Sequence, residues 1–214
     1  MKLRNHSLAF FTTVLLATAA FLSGCATTGM DRSVKTSNSI QHVDTEIKEM
    51  IVQIDATAAS LDSLVLGGKA DPKKAFNSYS KNVSKFEKEG KQVVKRLDEM
   101  KLNSRAYFEE WAKEGETFSN AEIRELSEER RSKLAAVYAQ VPEAGAGVKG
   151  SYNAYLTELK EIQKYLSNDL TPKGIEGITP VAQKSVQNLE QLKASLKPVI
   201  AALDEIKAEL YQKK

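Results

Sequence analysis

The sequence predicts an all-α protein, an elongated antiparallel four-helix bundle with coiled-coil-like heptad seams. Three observations predict it. Apolar residues recur at alternating intervals of three and four over long stretches. Helix stop and start signals divide residues 39–214 into four such stretches, and none shows sustained strand alternation. The composition agrees: 42% hydrophobic, 28% charged and 7% aromatic residues in a 214-residue chain with 11 Gly and 5 Pro suit a charged, helix-rich domain.

Residues 1–24 stand apart from the bundle. Lys2 and Arg4 precede an uncharged apolar run from Leu8 to Leu22, and Leu22-Ser23-Gly24 leads to the single cysteine, Cys25. A basic segment, a short apolar core and small residues before a cut site form a secretory signal peptide, too short for a comfortable membrane span. The box resembles that of bacterial lipoproteins. This resemblance implies cleavage before Cys25, a diacylglycerol on its thiol, and commonly a further acyl chain such as palmitate on the new amino terminus. An ordinary signal peptide followed by an incidental cysteine is the alternative. Two or three acyl chains would hold the protein on a bilayer where one would not. Ala26 and Thr27 follow Cys25 in place of the Asp associated with inner-membrane retention, so the expected location is the outer membrane, facing the periplasm.

Residues 25–38 are small, polar and aperiodic after the cysteine and read as a flexible tether. The first helix then carries Ile40, Val43, Ile47, Met50, Ile54, Thr57, Leu61 and Leu64 on one seam, with Gly67-Gly68 as its stop. Asp71-Pro72 supplies an N-cap and a first-turn proline for the second. Its seam runs Phe76, Tyr79, Val83, Phe86, Gly90, Val93, Leu97, Met100, Ser104, Tyr107 and Trp111. The break falls between Glu114 and Ser119, where Ser119-Asn120-Ala121-Glu122 reads as a capping box.

The third seam includes Ile123, Leu126, Leu134, Val137, Val141, Ala144, Val148, Tyr152, Tyr155, Leu159, Ile162 and Leu166. It contains Pro142, Gly145, Gly147 and Gly150 and takes an extra step of four between Val148 and Tyr152. A bent helix with a stutter is expected, or two helices broken near residues 142–150. Thr171-Pro172 starts the fourth helix, with Thr179-Pro180 a second start in case Gly174 and Gly177 interrupt it. Its seam runs Val186, Leu189, Leu192, Leu196, Val199 or Ile200, Leu203, Ile206 and Leu210, with a kink at Pro198. Short connections make neighbours antiparallel. Residues 40–65 hold five acids and one lysine, and 72–101 hold nine bases and four acids, which favours pairing of the first two helices modestly.

The order of features after Trp111 is distinctive: Phe118-Ser119-Asn120-Ala121, Ile123-Arg124-Glu125-Leu126-Ser127-Glu128, Arg130-Arg131, Tyr138, Lys164-Tyr165-Leu166 and Asp169-Leu170-Thr171. It resembles a family of bacterial helical envelope proteins catalogued only as a domain of unknown function. That resemblance implies a long helical bundle behind a lipoprotein signal, and it brings no functional residues.

Function classes narrow by chemistry. One cysteine makes neither an intrachain disulfide nor a thiolate zinc site. Loss of residues 1–24 removes Lys2 and Arg4, so 31 basic residues become 29 against 28 acidic, and a nearly neutral exported chain is a poor nucleic-acid binder. His42 alone would remain as a histidine and is expected on the surface. The acids Glu109, Glu110, Glu114, Glu116, Glu122, Glu125, Glu128 and Glu129 flank the second turn, yet interleaved Arg124, Arg130, Arg131 and Lys133 favour helix-surface ion pairs over a cation site. No phosphate-cradling glycine motif is present.

The expectation is therefore a nonenzymatic structural or interaction module without cofactor or metal, held to the membrane through Cys25. It would bind an envelope protein, peptidoglycan or a second copy of itself. Phe108 and Phe118, off the main seam, are a candidate partner patch. The alternative is a carrier of lipid or a small apolar ligand, if Gly90, Ser104 and Gly145 leave room opposite core aromatics.

Overall fold

The computed structural model describes residues 29–67 and 71–211, all helix apart from short turns. Helix α1 spans Gly29–Gly67, α2 Pro72–Glu116, α3 Ala121–Asn168, α4 Pro172–Lys184 and α5 Val186–Tyr211. The all-α bundle expected from the heptads is present: α1 packs on α2, α2 on α3, α3 on α4 and α5, and these two close back on α1. Each neighbouring pair runs antiparallel, as cross-links such as Arg96 with Glu46, Tyr79 with Leu159 and Arg130 with Glu209 require. At 1.5 Å per residue, the 45 residues of α2 reach about 68 Å.

The α1 seam is buried at all eight positions from Ile40 to Leu64. The helix begins ten residues earlier than the tether reading allows, however, because the seam continues upstream in polar form. Thr36 is buried and its hydroxyl donates to the Arg32 carbonyl at 2.8 Å. Arg32 pairs with Glu114 of α2, and the Ser37 and Tyr211 hydroxyls hydrogen-bond across to α5. Residues 29–38 thus belong to the bundle. Gln53 and Thr57, both buried, form a polar layer with Asn82 of α2, in which Gln53 Nε2 donates to the Asn82 carbonyl at 3.1 Å. A single satisfied polar layer in an apolar seam fixes helix register.

The starts at Pro72 and Pro172 hold, whereas Thr179-Pro180 opens no helix, because α4 runs unbroken through Gly174 and Gly177 and holds Pro180 inside it. The Asp71 side chain accepts from the Lys74 amide at 2.9 Å ahead of Pro72, and Thr171 Oγ1 accepts from the Gly174 amide at 3.2 Å ahead of Pro172. The third cap differs by one residue: Asn120, not Ser119, is the N-cap of α3, its Oδ1 accepting from the Glu122 and Ile123 amides. Asparagine in an extended conformation reaches two orphan amides at once, which serves in place of the capping box.

Helix α3 is continuous through Pro142, and it has no stutter. Gly145, not Ala144, occupies the seam, packed against Leu97, and the buried series Leu134, Tyr138, Val141, Gly145, Val148, Tyr152, Tyr155, Leu159, Ile162, Leu166 alternates strictly between four and three. One irregularity lies in the fourth arm. It divides at Ser185, which is buried and donates its hydroxyl to the Ala182 carbonyl at 2.7 Å, the local competition by which serine perturbs a helix. Ser185 takes the seam position expected for Val186, which is exposed. Pro180 and Pro198 both lie inside helices.

Gly174 sits where its helix turns back against the preceding cap. A Cβ there would lie 2.4 Å from the Asp169 carbonyl oxygen, whereas one at Gly150 would meet nothing within 4 Å. Gly174→Ala is expected to lower stability by about 2 kcal/mol, on the scale of overpacking. Gly150→Ala is expected to raise it by up to about 1 kcal/mol through helix propensity alone. Urea midpoints of the two variants check the contrast.

Charge distributes differently from a simple pairing of acidic α1 with basic α2. Glu46 pairs with Arg96 of α2 at 3.1 Å, but Asp44 and Asp55 reach Lys207 and Lys193 of α5. Burial pushes the Asp44 carboxyl up, and hydrogen bonds from Lys48 and Lys207 outweigh this, holding it below the ordinary aspartate range. A carboxyl lowered by folding contributes stability above its unfolded value, near 4, and loses it as pH falls through the folded value. Asp44→Asn is accordingly expected to be less stable than the parent at pH 7 and to converge on it near pH 2. Denaturant midpoints at both pH values test this, and a gap of constant size would assign the loss to packing.

Candidate functional site

The end of the bundle where α2 turns into α3 concentrates the surface features that the core does not explain. Beneath the turn, Tyr107, Phe108, Trp111 and Tyr138 form an aromatic cluster, with Phe108 5.0 Å from Tyr107 and 5.3 Å, edge-on, from Tyr138. Trp111 Nε1 donates to Ser127 Oγ at 2.9 Å and ties the two helices just below their junction. The turn itself is clamped: Thr117 Oγ1 donates to the Glu114 carbonyl, Asn120 caps α3, and the Arg124 guanidinium donates twice to the Phe118 carbonyl, at 2.7 and 3.2 Å.

This well-fastened tip presents apolar side chains outward. Phe118 is 39% exposed, Ile123 48% and Leu126 60%. Ile123 and Leu126 were expected inside the third seam. They lie beyond the level at which Glu209, near the last described turn of α5, meets Arg130. Met30 and Val34, in the first two turns of α1, are exposed at the same end, which Arg32 joins to Glu114.

The two halves of the candidate partner patch separate. Phe108 is buried against Tyr138 and Trp111, so it belongs to the core; Phe118 alone remains on the surface. Its off-seam position reflects a bundle core wider than the two seam positions of a heptad. Cys25 and the Leu22-Ser23-Gly24 box lie outside the described residues. His42 is exposed on α1. Among the acids of the turn, Glu109, Glu110, Glu114 and Glu128 pair with Arg105, Lys113, Arg32 and Arg131. Among the described residues no group of three His, Cys, Asp or Glu side chains is arranged to hold a metal ion, and no helix is long and apolar enough to cross a membrane.

The room anticipated opposite core aromatics is largely taken. A Cβ on Gly90 would lie 2.0 Å from the Tyr152 ring, which fills that space and donates its hydroxyl to the Glu87 carbonyl at 2.9 Å. Tyr79 donates likewise to the Leu159 carbonyl at 2.7 Å. Burial pushes the Tyr152 phenol up to about 12 and that of Tyr79 higher still, so both remain donors at neutral pH. The Ser104 side opens instead into a surface groove of about 730 Å³ between α2 and α3. Ala135, Ala139 and Ala146 keep its α3 wall low, Phe108 and Tyr138 lie along it, and Lys101, Arg105 and Arg131 stand at its edge. Alanines on one helix face are the signal for such a groove, and a reading by large apolar residues passes over them.

Fold and surface together define a long helical bundle with an open groove between α2 and α3 and exposed apolar side chains at the end where these two helices meet. The chain belongs to the family described as Protein of unknown function (DUF2959), whose pattern it matches over residues 29–210. The match begins where α1 begins and ends at the penultimate residue of α5. No curated protein and no solved structure matches the chain.

Proposed function

We propose that the protein is a lipid-anchored bundle of the cell envelope, facing the periplasm from the outer membrane and acting as a nonenzymatic structural or interaction module. The observation that carries this reading is the order Lys2, Arg4, an apolar run from Leu8 to Leu22, then Ser23-Gly24-Cys25. The domain that follows supports it. Polar side chains pair along helix faces and in helix caps, as Lys91 does with Glu87, Arg105 with Glu109 and Asn120 with the first amides of α3, which suits a structural role. Exposed helix faces and the tip are then the working surface, for an envelope protein, peptidoglycan or a second copy of the chain.

Cys25→Ala is expected to move the protein from the membrane fraction to the soluble periplasmic or unprocessed pool and to abolish incorporation of labelled palmitate. A variant that stays on washed membranes would overturn the anchor. The α2–α3 groove favours one second reading, a carrier that shields an acyl chain or similar apolar ligand. Lipid that co-purifies in native mass spectrometry, and is lost on filling the groove by Ala139→Phe, would support it.

A further inference from the structure

We propose that the tip of the α2–α3 hairpin is a membrane-contact surface: Phe118 and Ile123, together with Met30 of α1, rest in the headgroup region of the bilayer that holds Cys25. The inference rests on the lipid-anchor reading and adds to it the orientation of the bundle. Chain length sets the geometry. Four Cα steps separate Cys25 from Gly29, where α1 begins, and an extended chain covers at most about 3.6 Å per residue. Whatever their conformation, these residues let the start of α1 rise no more than about 14 Å from the anchored cysteine. The hairpin tip is level with that start, since Arg32 in the first turn of α1 meets Glu114 in the last turns of α2. A bundle so tethered keeps its tip within reach of the lipid.

The tip is built for such contact. Its backbone is held by the Asn120 cap and by Arg124 on the Phe118 carbonyl, so exposed apolar side chains are displayed without a backbone ordering cost on binding. The contact is apolar rather than electrostatic: Glu116, Glu122 and Glu125 outnumber Arg124 around Phe118 and Ile123, which gives anionic lipid no attraction. Aromatic and aliphatic side chains on a rigid end, flanked by charge, suit the interface and not the hydrocarbon centre.

The test uses the full-length lipoprotein in phosphatidylcholine vesicles. Cys25 is the only cysteine, and a lipid thioether blocks it, so an environment-sensitive thiol dye labels only an introduced cysteine. Phe118→Cys and, as a second reporter, Ile123→Cys are compared with Leu66→Cys at the opposite end, where Leu66 is 65% exposed. The first two are expected to shift to the blue and to be quenched at least twofold by lipids brominated near the headgroup, unchanged between 0.1 and 0.5 M salt, with Leu66→Cys unaffected. Equal emission at both ends in protein of lipidated mass would overturn the orientation while leaving the anchor intact. Quenching that salt abolishes would assign the contact to charge and overturn it as well. Labelling of the parent protein would reveal a free Cys25 thiol and remove the anchor and the orientation together.

Discussion

Phe86→Ala is expected to cost about 3–5 kcal/mol. Phe86 is fully buried on α2, and its ring lies 5.5 Å from both Tyr152 and Tyr155 of α3, tilted against the first and edge-on to the second. Truncation removes a whole aromatic side chain and two ring contacts worth about 0.5–1.5 kcal/mol each. The cavity cannot collapse easily, because Tyr152 is pinned by its hydrogen bond to the Glu87 carbonyl. Guanidinium unfolding with an unchanged slope and a lower midpoint is the expected result. Phe86→Leu, which keeps most of the volume, should lose less than half as much.

Gly90→Ala is expected to be destabilising by about 2 kcal/mol, although alanine is the better helix former by about 1 kcal/mol at an exposed site. The reason is one close approach. A Cβ would stand 2.0 Å from Tyr152 Cε2 and 2.5 Å from Cδ2, inside the ring's van der Waals surface, so the buried tyrosine must leave its place and give up its hydrogen bond. The cause can be isolated. With Tyr152→Ala already in place, the same glycine change should become neutral or favourable, and a double-mutant cycle should return a coupling above about 2 kcal/mol. Additive effects would mean that the helices are not this close.

Both positions show why most of the bundle is legible in the sequence. A side chain in a long seam has few options: residues spaced by three and four share a face, and the face is buried if a partner helix runs the same length. All of Ile40 to Leu64 on α1 and Tyr79 to Ser104 on α2 satisfy that condition. Where the condition fails, the reading fails. Ile123 and Leu126 keep the right phase yet are exposed, beyond the last described turn of α5, and periodicity reports phase without reporting whether a partner lies opposite. Gly145 and Ser185 hold seam positions that a search for large apolar residues assigns to their neighbours Ala144 and Val186, which produced a stutter that is absent and hid a division that is present. Thr36 similarly carries the α1 seam into a stretch whose composition resembles a linker.

The candidate sites were legible to different degrees for the same kind of reason. The cleavage box is a linear signal read by processing enzymes, so sequence alone carries it. The tip and the groove depend on where helices end relative to one another and on which faces are lined by alanine, and those are properties of packing. Phe108 illustrates the difference. Off the seam in one dimension, it is buried in three because Tyr138 crosses over it.

The measurement that tests the account most directly is the intact mass of the protein recovered from its native membrane. The account predicts a chain that begins at Cys25, lacks residues 1–24 and carries diacylglycerol on the cysteine, with or without a further acyl chain on its amino group. A chain that retains residues 1–24, or one cut elsewhere with an unmodified thiol, would contradict it.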